Sequence, residues 1–367
     1  MRLVLTGGCT GGHIYPALAI GDKFREKDPD CEIIYIAHQW GLETSIVPDA
    51  GYDLRIVTAE WLRRDNPIKM IRTICGTLKG RREALKIMKE FRPDVVMSTG
   101  SFVSVPVVMA AHSYGADIYM HEQNGFPGVS NRVFGRYAKK IFLGFEGARE
   151  FFKEQDKIIY SGNPVRSEFA GRDRNEDRAG LGIGEEEFVI TIFGGSLGSD
   201  TTNDIGIRLI KEYGGRAGYT VIFGTGKEYY DKVVDTIGSL GLDGYDNVRV
   251  SPYISGMSAV MSASNLIISR AGALSVAEVT MTGRAAIFIP SPNVTADHQY
   301  YNALSVSKVG GAVIVRDNED TAEGVLSEIR RLDADRSLIT AMEEKSLSIA
   351  PVHAADIIYD TITGNCR

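Results

Sequence analysis

Gly7-Gly8-Cys9-Thr10-Gly11-Gly12-His13 is the stretch of this 367-residue chain around which the fold is organised. It follows a short apolar run, Leu3-Val4-Leu5, and it opens a helical pattern from Ile14 to Lys27. A strand, a glycine turn and a helix N-terminus form an anion site, because backbone N–H groups point outward and the helix dipole favours negative charge. The sequence therefore predicts a phosphate-binding turn near its start.

The turn does not fit the generic nucleotide-binding motifs. The dinucleotide motif G-x-G-x-x-G needs glycine where Cys9 stands, and the Walker motif needs lysine where His13 stands. What distinguishes the turn is a histidine at the start of a helix, beside a predicted phosphate site. Two roles for His13 are open at this point, namely chemistry in the site or capping of the turn.

Length and composition indicate an ordinary globular protein of two domains. Hydrophobic residues make up 44% of the chain and charged residues 24%, and the formal net charge of −6 argues against a general nucleic-acid binder. No apolar run is long enough to span a bilayer, and the first residues indicate a strand, so we expect no signal peptide. The four cysteines form no C-x-x-C pair, so we expect neither a cysteine zinc site nor a disulfide framework.

Short runs rich in Val and Ile alternate with helical patterns, which is typical of parallel sheets covered by helices on both faces. The series restarts after a polar stretch, Ser167–Glu187, and Gly162-Asn163-Pro164 is the predicted turn before it. The predicted strands are Arg2–Thr6, Glu32–Ala37, Asp94–Ser98, Asp117–His121, Lys140–Leu143, Lys157–Ser161, Phe188–Phe193, Tyr219–Phe223, Asn265–Ser269, Ala285–Pro290 and Gly311–Val315.

We therefore expect an α/β fold of two doubly wound, Rossmann-like domains that face each other across a cleft. Ligands in such sheets bind beyond the carboxyl ends of the strands. The predicted boundaries give a first domain at 1–163, a second at 164–345 and a C-terminal segment at 346–367. The last helix could belong to either domain, and packing on the first is the option we carry forward.

The segment from Trp61 to Glu90 is strongly basic, with nine Lys and Arg residues against three acids. Asn66-Pro67 indicates a helix start. Apolar residues follow it at helical spacing: Ile68, Ile71, Ile74, Cys75 and Leu78. A basic amphipathic helix in an acidic chain indicates an anionic membrane surface. The alternative is a helix with a solvated basic face that packs on an ordinary core.

Polar groups that directly follow apolar strands mark further candidate sites, because they are costly to bury unless they bind something. His121-Glu122-Gln123-Asn124 follows one strand, and Gly194–Ser199 forms a second predicted phosphate turn. Glu278 lies near the start of the helix after Arg270, where it could bind two ribose hydroxyls. The loop around Asp297–Asn302 offers hydrogen-bonding groups suited to a sugar.

Together these segments resemble one family, the MurG glycosyltransferases of bacterial peptidoglycan synthesis, which belong to glycosyltransferase family 28. The resemblance runs over nearly the whole chain, in the family's order and rough spacing. It is carried by Gly7–His13, Thr99–Pro106, His121–Asn124, Gly162–Arg166, Gly194–Ser199, Ser269–Glu278 and Asp297–Ala303. It implies a GT-B fold and transfer of GlcNAc from UDP-GlcNAc to the C4 hydroxyl of MurNAc in lipid I, with inversion, to give lipid II.

The resemblance further implies a peripheral enzyme at the cytoplasmic face of the cell membrane, which strengthens the membrane interpretation of the basic helix. Its implied partners are UDP-GlcNAc, lipid I, an anionic membrane surface and, as an option, other cell-wall synthesis proteins, with no nucleic acid. We expect no cofactor and no metal. The two D-x-D strings, Asp28-Pro29-Asp30 and Asp333-Ala334-Asp335, are more simply explained as solvated acids.

An inverting displacement needs a base for the acceptor hydroxyl. His13 is the first choice, because histidine titrates near neutral pH, although it could instead orient the acceptor pyrophosphate. Glu122 is the alternative base. The resemblance assigns the acceptor to Thr10, Gly11, Gly12, Gly100, Ser101 and Asn124. It assigns UDP-GlcNAc to Asn124, Arg166, Gly195, Ser196, Ile254, Met257, Arg270, Ala273, Leu274, Glu278, His298, Gln299 and Asn302. The membrane residues are Ile68, Ile71, Arg72, Ile74, Leu78, Lys79, Arg81 and Arg82.

The chain departs from the family pattern in places. Cys9 stands where glycine is usual, Ser101-Phe102 replaces Gly-Tyr, and Leu197 replaces glutamine. At His298 the family has either glutamine or histidine. Three alternative functions stay open: a UDP-GlcNAc 2-epimerase on the same scaffold, a diacylglycerol glycosyltransferase, and a non-catalytic UDP-sugar-binding protein.

Overall fold

The computed structural model describes residues 1–61, 67–195 and 197–364, without the side chains of residues 67–69 and of Thr295. These residues form two compact units. The first comprises Met1–Val165 and the C-terminal segment from His353 onward, and the second comprises Arg166–Val352. The first unit is therefore built from two separate parts of the chain.

Parallel sheets form the centre of both units. The strands of the first unit are β1 (Arg2–Thr6), β2 (Glu32–His38), β3 (Asp53–Val57), β4 (Val95–Ser98), β5 (Asp117–Glu122), β6 (Lys140–Leu143) and β7 (Ile158–Tyr160). The strands of the second unit are β8 (Phe188–Phe193), β9 (Tyr219–Gly224), β10 (Val248–Ser251), β11 (Leu266–Ser269), β12 (Ala285–Phe288) and β13 (Ala312–Ile314).

Helices connect the strands. In chain order they are α1 (Gly11–Lys27), α2 (Glu43–Asp49), α3 (Pro67–Phe91), α4 (Ser101–Tyr114), α5 (Val129–Phe134), α6 (Arg174–Leu181), α7 (Asp200–Tyr213), α8 (Tyr230–Ser239), α9 (Met257–Ala263), α10 (Ala273–Thr282), α11 (His298–Val309), α12 (Thr321–Ala334), α13 (Ser337–Leu347) and α14 (Ala354–Thr363). Short 3-10 helices lie at Gly135–Tyr137, Glu146–Phe151, Gln155–Lys157, Ser167–Phe169 and Thr295–Asp297.

Both sheets are doubly wound. The first has the order β3-β2-β1-β4-β5-β6-β7 and the second has the order β10-β9-β8-β11-β12-β13, with parallel pairing. The direction of winding reverses between β1 and β4 in the first sheet, and between β8 and β11 in the second. Ligands of open α/β sheets bind at such switch points. The predicted α/β fold with two doubly wound sheets is confirmed.

Helices cover both faces of the first sheet, as the alternation along β1 shows. Val4 packs into one apolar cluster with Val96. Leu3 and Leu5 point to the opposite face and pack with Phe24 of α1. Because the strands are buried on both faces, they appear in the sequence as nearly continuous apolar runs.

Two strands escape prediction from the sequence, and both lie at a sheet edge. In β3, Asp53 and Arg55 are exposed and form an ion pair at 2.8 Å. In β10 every residue is only partly buried. An edge strand pairs on one side only and can face water, so neither strand has the apolar run that marks the central strands.

The C-terminal helix α14 packs on α1 in the first unit. The ring of Tyr359 lies 4.9 Å from the ring of Phe24, edge to face. Ile358 is fully buried in the same apolar cluster. Asp356 pairs with Lys23 of α1 at 3.3 Å. These contacts explain why the segment from His353 belongs to the first unit.

Helix α3 is the basic segment, and its first half leaves apolar side chains in solvent. Ile71, Ile74 and Leu78 are 60%, 50% and 41% exposed. The second half packs on the sheet, where Ala84 and Met88 are buried. The exposed apolar side chains of the first half therefore do not contribute to the packing of α3 on the sheet. No helix among the described residues is long and apolar enough to cross a membrane.

Candidate active site

The first glycine turn lies at the switch point of the first sheet, between β1 and α1. A Cβ on Gly7 would lie 1.9 Å from Oγ1 of Thr99, so only glycine fits there. Thr99 follows β4, and its hydroxyl donates to the backbone oxygen of His13 at 2.7 Å. The two loops that flank the switch point are thus tied to each other.

Cys9 adopts a left-handed backbone conformation with a φ of 73°, which the family's usual glycine would adopt without strain. Its N–H donates to Oε2 of Glu43 at 3.0 Å, and Glu43 is fully buried at the start of α2. Burial and this carboxylate raise the pKa of the Cys9 thiol. The thiol therefore stays neutral and adds no negative charge to the predicted phosphate site.

His13 lies in the first turn of α1, and its ring is held through Nδ1. This atom lies 2.8 Å from the carbonyl oxygen of Thr99 and 2.9 Å from Oε1 of Gln123. Both oxygens are acceptors, so Nδ1 carries the proton of the neutral ring. The neutral ring then has its lone pair on Nε2, which can accept a proton.

Glu122 ends β5 and is buried, and four donors engage its carboxylate. Oε1 accepts from the backbone N–H of Asn124 at 2.9 Å and from its Nδ2 at 3.3 Å. Oε2 accepts from the N–H of Gly128 at 3.0 Å and from Nδ2 of Asn131 at 2.9 Å. Four donors match the roughly four lone-pair positions of a carboxylate. The arrangement orders the loop after β5.

Gly100 and Ser101 open α4 beside the switch point. Their φ values are 93° and 74°, both in the region that favours glycine. A Cβ on Gly100 would lie 3.0 Å from the amide nitrogen of Asn131, the side chain that also donates to Glu122. A serine in this conformation is strained, and such strain clusters at functional sites.

The second glycine turn, Gly194–Ser199, lies at the switch point of the second sheet, between β8 and α7. Gly195 has a φ of 89°, and a Cβ there would meet no described heavy atom within 4 Å outside the neighbouring residues. A Cβ on Gly198 would lie 2.2 Å from the backbone oxygen of Thr225. Ser196, the predicted diphosphate ligand, lies outside the described residues. The turn is thus packed at one glycine and open at the other.

Arg270 stabilises the start of α7 through hydrogen bonds. Its Nη2 and Nε lie 2.7 and 3.2 Å from Oγ of Ser199, the N-cap residue of α7. Its Nη1 pairs with Asp317 at 2.7 Å and donates to the backbone oxygen of Ile289 at 3.2 Å. Because the guanidinium is engaged in this way, Arg270 acts on the glycine turn through Ser199.

Glu278 lies on α10 and is mostly buried beside Arg166. The two side chains approach to 3.7 Å, and Arg166 also pairs with Glu168 at 2.9 Å. Burial raises the pKa of Glu278 to about 7, against the lowering effect of the Arg166 charge. A strongly perturbed carboxyl of this kind is typical of functional sites.

Other predicted donor residues lie at the ends of central and edge strands of the second sheet. Ile254 follows β10 and is buried, and Met257 opens α9. Ala273 and Leu274 open α10 directly after its N-cap residue, Gly272. These four residues therefore share the carboxyl edge of the sheet with the second glycine turn.

His298, Gln299 and Asn302 lie on the first two turns of α11. Oε1 of Gln299 accepts from the N–H of Ser291 at 2.9 Å. Asn302 is fully buried, and its Nδ2 donates to the backbone oxygen of Ala271 at 3.1 Å. Gln299 and Asn302 therefore order the loops around the start of α11.

The predicted membrane residues all lie on α3, most of them in its first half and Arg81 and Arg82 just beyond its midpoint. Arg72, Lys79 and Arg82 are exposed beside the apolar side chains. Arg81 is partly buried and donates to Oγ of Ser113 on α4 at 2.7 Å. The side chain of Ile68 lies outside the described part of the chain.

Three acids of the two D-x-D strings, Asp28, Asp333 and Asp335, have polar partners. Asp28 lies 3.8 Å from the N-terminal amino group. Asp333 accepts from the hydroxyl of Tyr219 at 2.7 Å, and Asp335 accepts from the N–H of Ser337 at 3.1 Å. The described side chains contain no cluster of three potential His, Cys, Asp or Glu metal ligands.

Four supporting residues receive no role from the sequence motifs, namely Gln123, Glu43, Asn131 and Asp317. Three of them act between distant segments, as Gln123 does when it reaches His13 across 110 positions, whereas Asn131 bonds to Glu122 nine positions away. The sequence does point to Gln123, because this residue lies within the polar run that directly follows β5. The other three have no such signal that a single sequence could reveal.

Comparison with known proteins agrees with this arrangement. Residues 3–143 match the Glycosyltransferase family 28 N-terminal domain, and residues 189–357 match its C-terminal domain. The UDP-N-acetylglucosamine--N-acetylmuramyl-(pentapeptide) pyrophosphoryl-undecaprenol N-acetylglucosamine transferase of Clostridioides difficile (strain 630) is 37% identical, over 99% of this chain and 88% of the relative. The protein of that name from Caldicellulosiruptor saccharolyticus is 36% identical, over 98% of this chain and 96% of the relative.

Solved structures give the same result. MurG of Acinetobacter baumannii matches with a TM-score of 0.78 at 26% identity, over 99% of each chain. UDP-GlcNAc 2-epimerase from Neisseria meningitidis, solved with UDP-GlcNAc bound, matches with a TM-score of 0.70 at 14% identity over 100% of each chain, a likeness of fold alone. The resemblance seen in the seven sequence segments is confirmed. This chain is therefore a glycosyltransferase of family 28 and belongs to the MurG group within it.

Proposed function

We propose that this enzyme transfers GlcNAc from UDP-GlcNAc to the C4 hydroxyl of MurNAc in undecaprenyl-pyrophosphoryl-MurNAc-pentapeptide, or lipid I. The product is lipid II, formed with inversion at the anomeric carbon. The observation that carries the proposal is the 37% identity to a relative named for this activity, over 99% of the chain. That length includes both glycine turns and His13.

His13 is the proposed general base. Its Nε2 takes the proton of the acceptor hydroxyl while the hydroxyl oxygen bonds to C1 of GlcNAc. The bond from C1 to the diphosphate oxygen breaks, and UDP leaves with the electron pair. Glu122 is the weaker candidate, because four donors already engage its carboxylate. We assign Glu122 to ordering the loop after β5.

The acceptor pyrophosphate is proposed to bind at the first glycine turn, where the N-terminus of α1 offers backbone N–H groups and a favourable dipole. The hydrogen bond from Thr99 to His13 fixes this turn against the loop after β4. The residues assigned to the acceptor are Thr10, Gly11, Gly12, Gly100, Ser101 and Asn124. We also assign Asn124 to the donor.

The second unit is proposed to hold UDP-GlcNAc. Backbone N–H groups at Gly195 and Ser196 meet the diphosphate, so the charge of the leaving group is stabilised as it forms. Glu278 accepts from the ribose hydroxyls, with Arg166 beside it. The wall for the uracil is assigned to Ile254 and Met257, and Ala273 and Leu274 are assigned to the donor. The sugar is assigned to His298, Gln299 and Asn302. Arg270 is assigned to stabilising the second glycine turn through Ser199.

The lipid acceptor requires the enzyme to reach a membrane surface, and we propose that α3 docks there peripherally on the cytoplasmic face. Exposed Ile71, Ile74 and Leu78 would enter the interface. Arg72 and Lys79, together with Arg82, would lie among anionic head groups. Arg81 contributes less, because it is already bonded to α4.

Radiolabelled UDP-GlcNAc with a short-chain lipid I analogue, and in a parallel reaction with diacylglycerol, separates the proposal from its alternatives. The expected product is the labelled disaccharide lipid. An epimerase would instead release the C2 epimer of the donor, a diacylglycerol transferase would label diacylglycerol, and a binding protein would turn over neither. Absence of label on the lipid I analogue overturns the proposal. The variant His13→Ala is expected to lower kcat by about 10²–10⁴-fold while it still binds UDP.

A further inference from the structure

A buried chain of hydrogen bonds runs behind the ring of His13. Nδ1 of His13 lies 2.9 Å from Oε1 of Gln123, and Nε2 of Gln123 lies 2.9 Å from Nδ1 of His121. Nε2 of His121 lies 3.1 Å from the backbone oxygen of Gly162. Gln123 and His121 are both almost fully buried. The chain therefore links His13 at the first glycine turn to the segment that leaves β7.

Backbone oxygens fix every proton along this chain. The carbonyl of Gly162 can only accept, so Nε2 of His121 carries a proton and its Nδ1 has a lone pair in the neutral ring. Nε2 of Gln123 also lies 3.1 Å from the carbonyl oxygen of His121, which places the amide NH2 on that side. Oε1 of Gln123 then faces His13. The carbonyl oxygen of Thr99 lies 2.8 Å from Nδ1 of His13 and can only accept, so this contact also requires a proton on Nδ1.

We propose that Gln123 and His121 are positioning residues that hold His13 in the Nδ1–H tautomer, with its lone pair on Nε2. The inference rests on the proposed function, in which His13 is the base. It adds two residues that the sequence motifs and the family resemblance left without a role. Neither residue touches the reacting atoms, since both act through the ring of His13.

The same contacts serve the charged form of the base. When Nε2 of His13 takes the acceptor proton, the ring becomes a cation, and Oε1 of Gln123 and the Thr99 carbonyl accept a stronger hydrogen bond from Nδ1. His121 is the titratable group that this relay places next to His13. Burial lowers the pKa of His121 to about 4, so it stays neutral and adds no competing charge. The amide of Gln123 separates the two rings, so the relay orients and does not carry protons.

The test compares Gln123→Leu with Gln123→Glu by nitrogen-15 NMR of labelled histidines and by kinetics. In the unaltered enzyme we expect Nδ1 of His13 to be protonated and Nε2 unprotonated. Gln123→Leu removes one of the two acceptors of Nδ1–H and leaves the Thr99 carbonyl, so it should populate the second tautomer in part and lower kcat by roughly threefold to tenfold, with the KM for UDP-GlcNAc unchanged. Gln123→Glu restores an acceptor for Nδ1–H, so it should recover the tautomer and move the acid limb of kcat/KM to higher pH.

Gln155→Leu is the matched control, because Gln155 is exposed and bonds to the nearby backbone oxygens of Arg149 and Phe152, away from His13 on the surface of the same unit. It should change neither the tautomer nor kcat. A Gln123→Leu enzyme with the original tautomer and pH profile overturns the inference, as does a Gln123→Glu enzyme with an unmoved acid limb. If Gln123→Leu does not fold, the Gln123→Glu result decides.

The two proposals fail separately. The tautomer is read without substrate, so it stands or falls whatever the acceptor proves to be. If the tautomer is as expected but the lipid I analogue is not labelled, the proposed function fails and the positioning contacts remain. If lipid I is labelled but His13 shows a proton on Nε2, the positioning inference fails and the transferase activity remains.

Discussion

At the residue scale, Glu278 should make donor binding depend on pH. Burial raises its pKa to about 7, so the carboxylate prevails above that pH and the acid below it. A carboxylate accepts from both ribose hydroxyls, whereas protonation removes part of that capacity. We expect the affinity for UDP-GlcNAc to fall by roughly tenfold as the pH decreases from about 8 to about 6. Isothermal titration calorimetry measures this directly.

Two variants identify the group responsible for that pH dependence. Glu278→Gln cannot ionise, so its affinity should stay flat over the same range. Arg166→Gln removes the positive charge that favours the carboxylate, so the pKa of Glu278 should rise and the midpoint should move to higher pH. The diphosphate of UDP-GlcNAc stays ionised throughout and adds no titration. A midpoint that moves to lower pH in Arg166→Gln would contradict the assignment.

Two glycines of the first turn should respond differently to the same substitution. In Gly7→Ala the new Cβ would lie 1.9 Å from Oγ1 of Thr99, so we expect the free energy of unfolding to fall by about 1–3 kcal/mol. In Gly12→Ala the nearest heavy atom apart from the adjacent residues and the backbone of the helix is Oγ1 of Thr10 at 3.6 Å, an ordinary contact. That variant should keep its stability but raise the KM for the lipid I analogue, because the methyl group lies where the pyrophosphate is proposed to bind.

Thermal unfolding and steady-state kinetics on the same two preparations check this pair. Loss of stability in both variants would mean that Gly12 is constrained by packing and not by a ligand. An unchanged KM in Gly12→Ala would remove this part of the turn from the acceptor site.

The contacts of single residues also differ in whether the sequence alone can predict them. The turn at Gly7–His13 could be predicted because a glycine turn before a helix start is a local pattern. The partners of its residues are not local. Glu43 under Cys9, Gln123 beside His13 and Asp317 beside Arg270 are chosen by tertiary packing, which one sequence does not reveal.

At the element scale, α3 should bind anionic membranes through two separable contributions. Reversing three exposed charges in Arg72→Glu, Lys79→Glu and Arg82→Glu together should weaken binding to anionic vesicles by at least 100-fold, since each basic group near such a surface contributes about 1 kcal/mol. The matched control reverses three exposed lysines of the second unit, Lys211, Lys308 and Lys345. Vesicle co-sedimentation should show that only the α3 variant loses binding.

The apolar contribution is tested by Ile71→Ser, Ile74→Ser and Leu78→Ser in one chain. These side chains are already in solvent, so the protein should fold normally. Binding should weaken on neutral and anionic vesicles alike, whereas the charge reversals act on anionic vesicles only and in a salt-dependent way. Equal binding by all variants would exclude α3 as the docking element.

Elements were predicted well where burial leaves a pattern and poorly where it does not. The central strands are buried on both faces and stand out as apolar runs. The edge strands β3 and β10 face water and were missed. Helical periodicity predicted α3. It could not show that the apolar side chains of the first half lie in solvent, because periodicity identifies the apolar face of a helix but does not identify what packs against that face.

At the scale of the whole molecule, the chain uses one architecture twice. The order β3-β2-β1-β4-β5-β6 in the first sheet corresponds to β10-β9-β8-β11-β12-β13 in the second. A glycine turn follows the first strand of each series. The restart of the series made two domains predictable from the sequence. The sequence did not predict which unit the last helix packs on, because its apolar residues would suit the surface of either unit.

Removal of α14 should therefore destabilise the first unit and spare the second. Truncation after Val352 strips Ile358 and Tyr359 from the cluster that contains Phe24, and each large buried side chain of this kind contributes about 2–5 kcal/mol. Ile358→Ala is a milder version with an expected loss in that range. Asp356→Asn removes the partly exposed pairings with Lys23 and Lys27, so its loss should stay below about 1 kcal/mol.

Hydrogen exchange with mass spectrometry locates the effect of the truncation. Amides of β1 and α1 should exchange faster, because the helix that covers them is gone, while amides within Arg166–Val352 should exchange as before. The truncated protein should still bind UDP-GlcNAc, because the residues assigned to the donor, apart from Asn124, lie in the second unit. It should lose transfer to the lipid I analogue, because His13 lies on the helix that α14 supports. Faster exchange in both units, or loss of UDP-GlcNAc binding, would show that the two units do not hold their substrates independently.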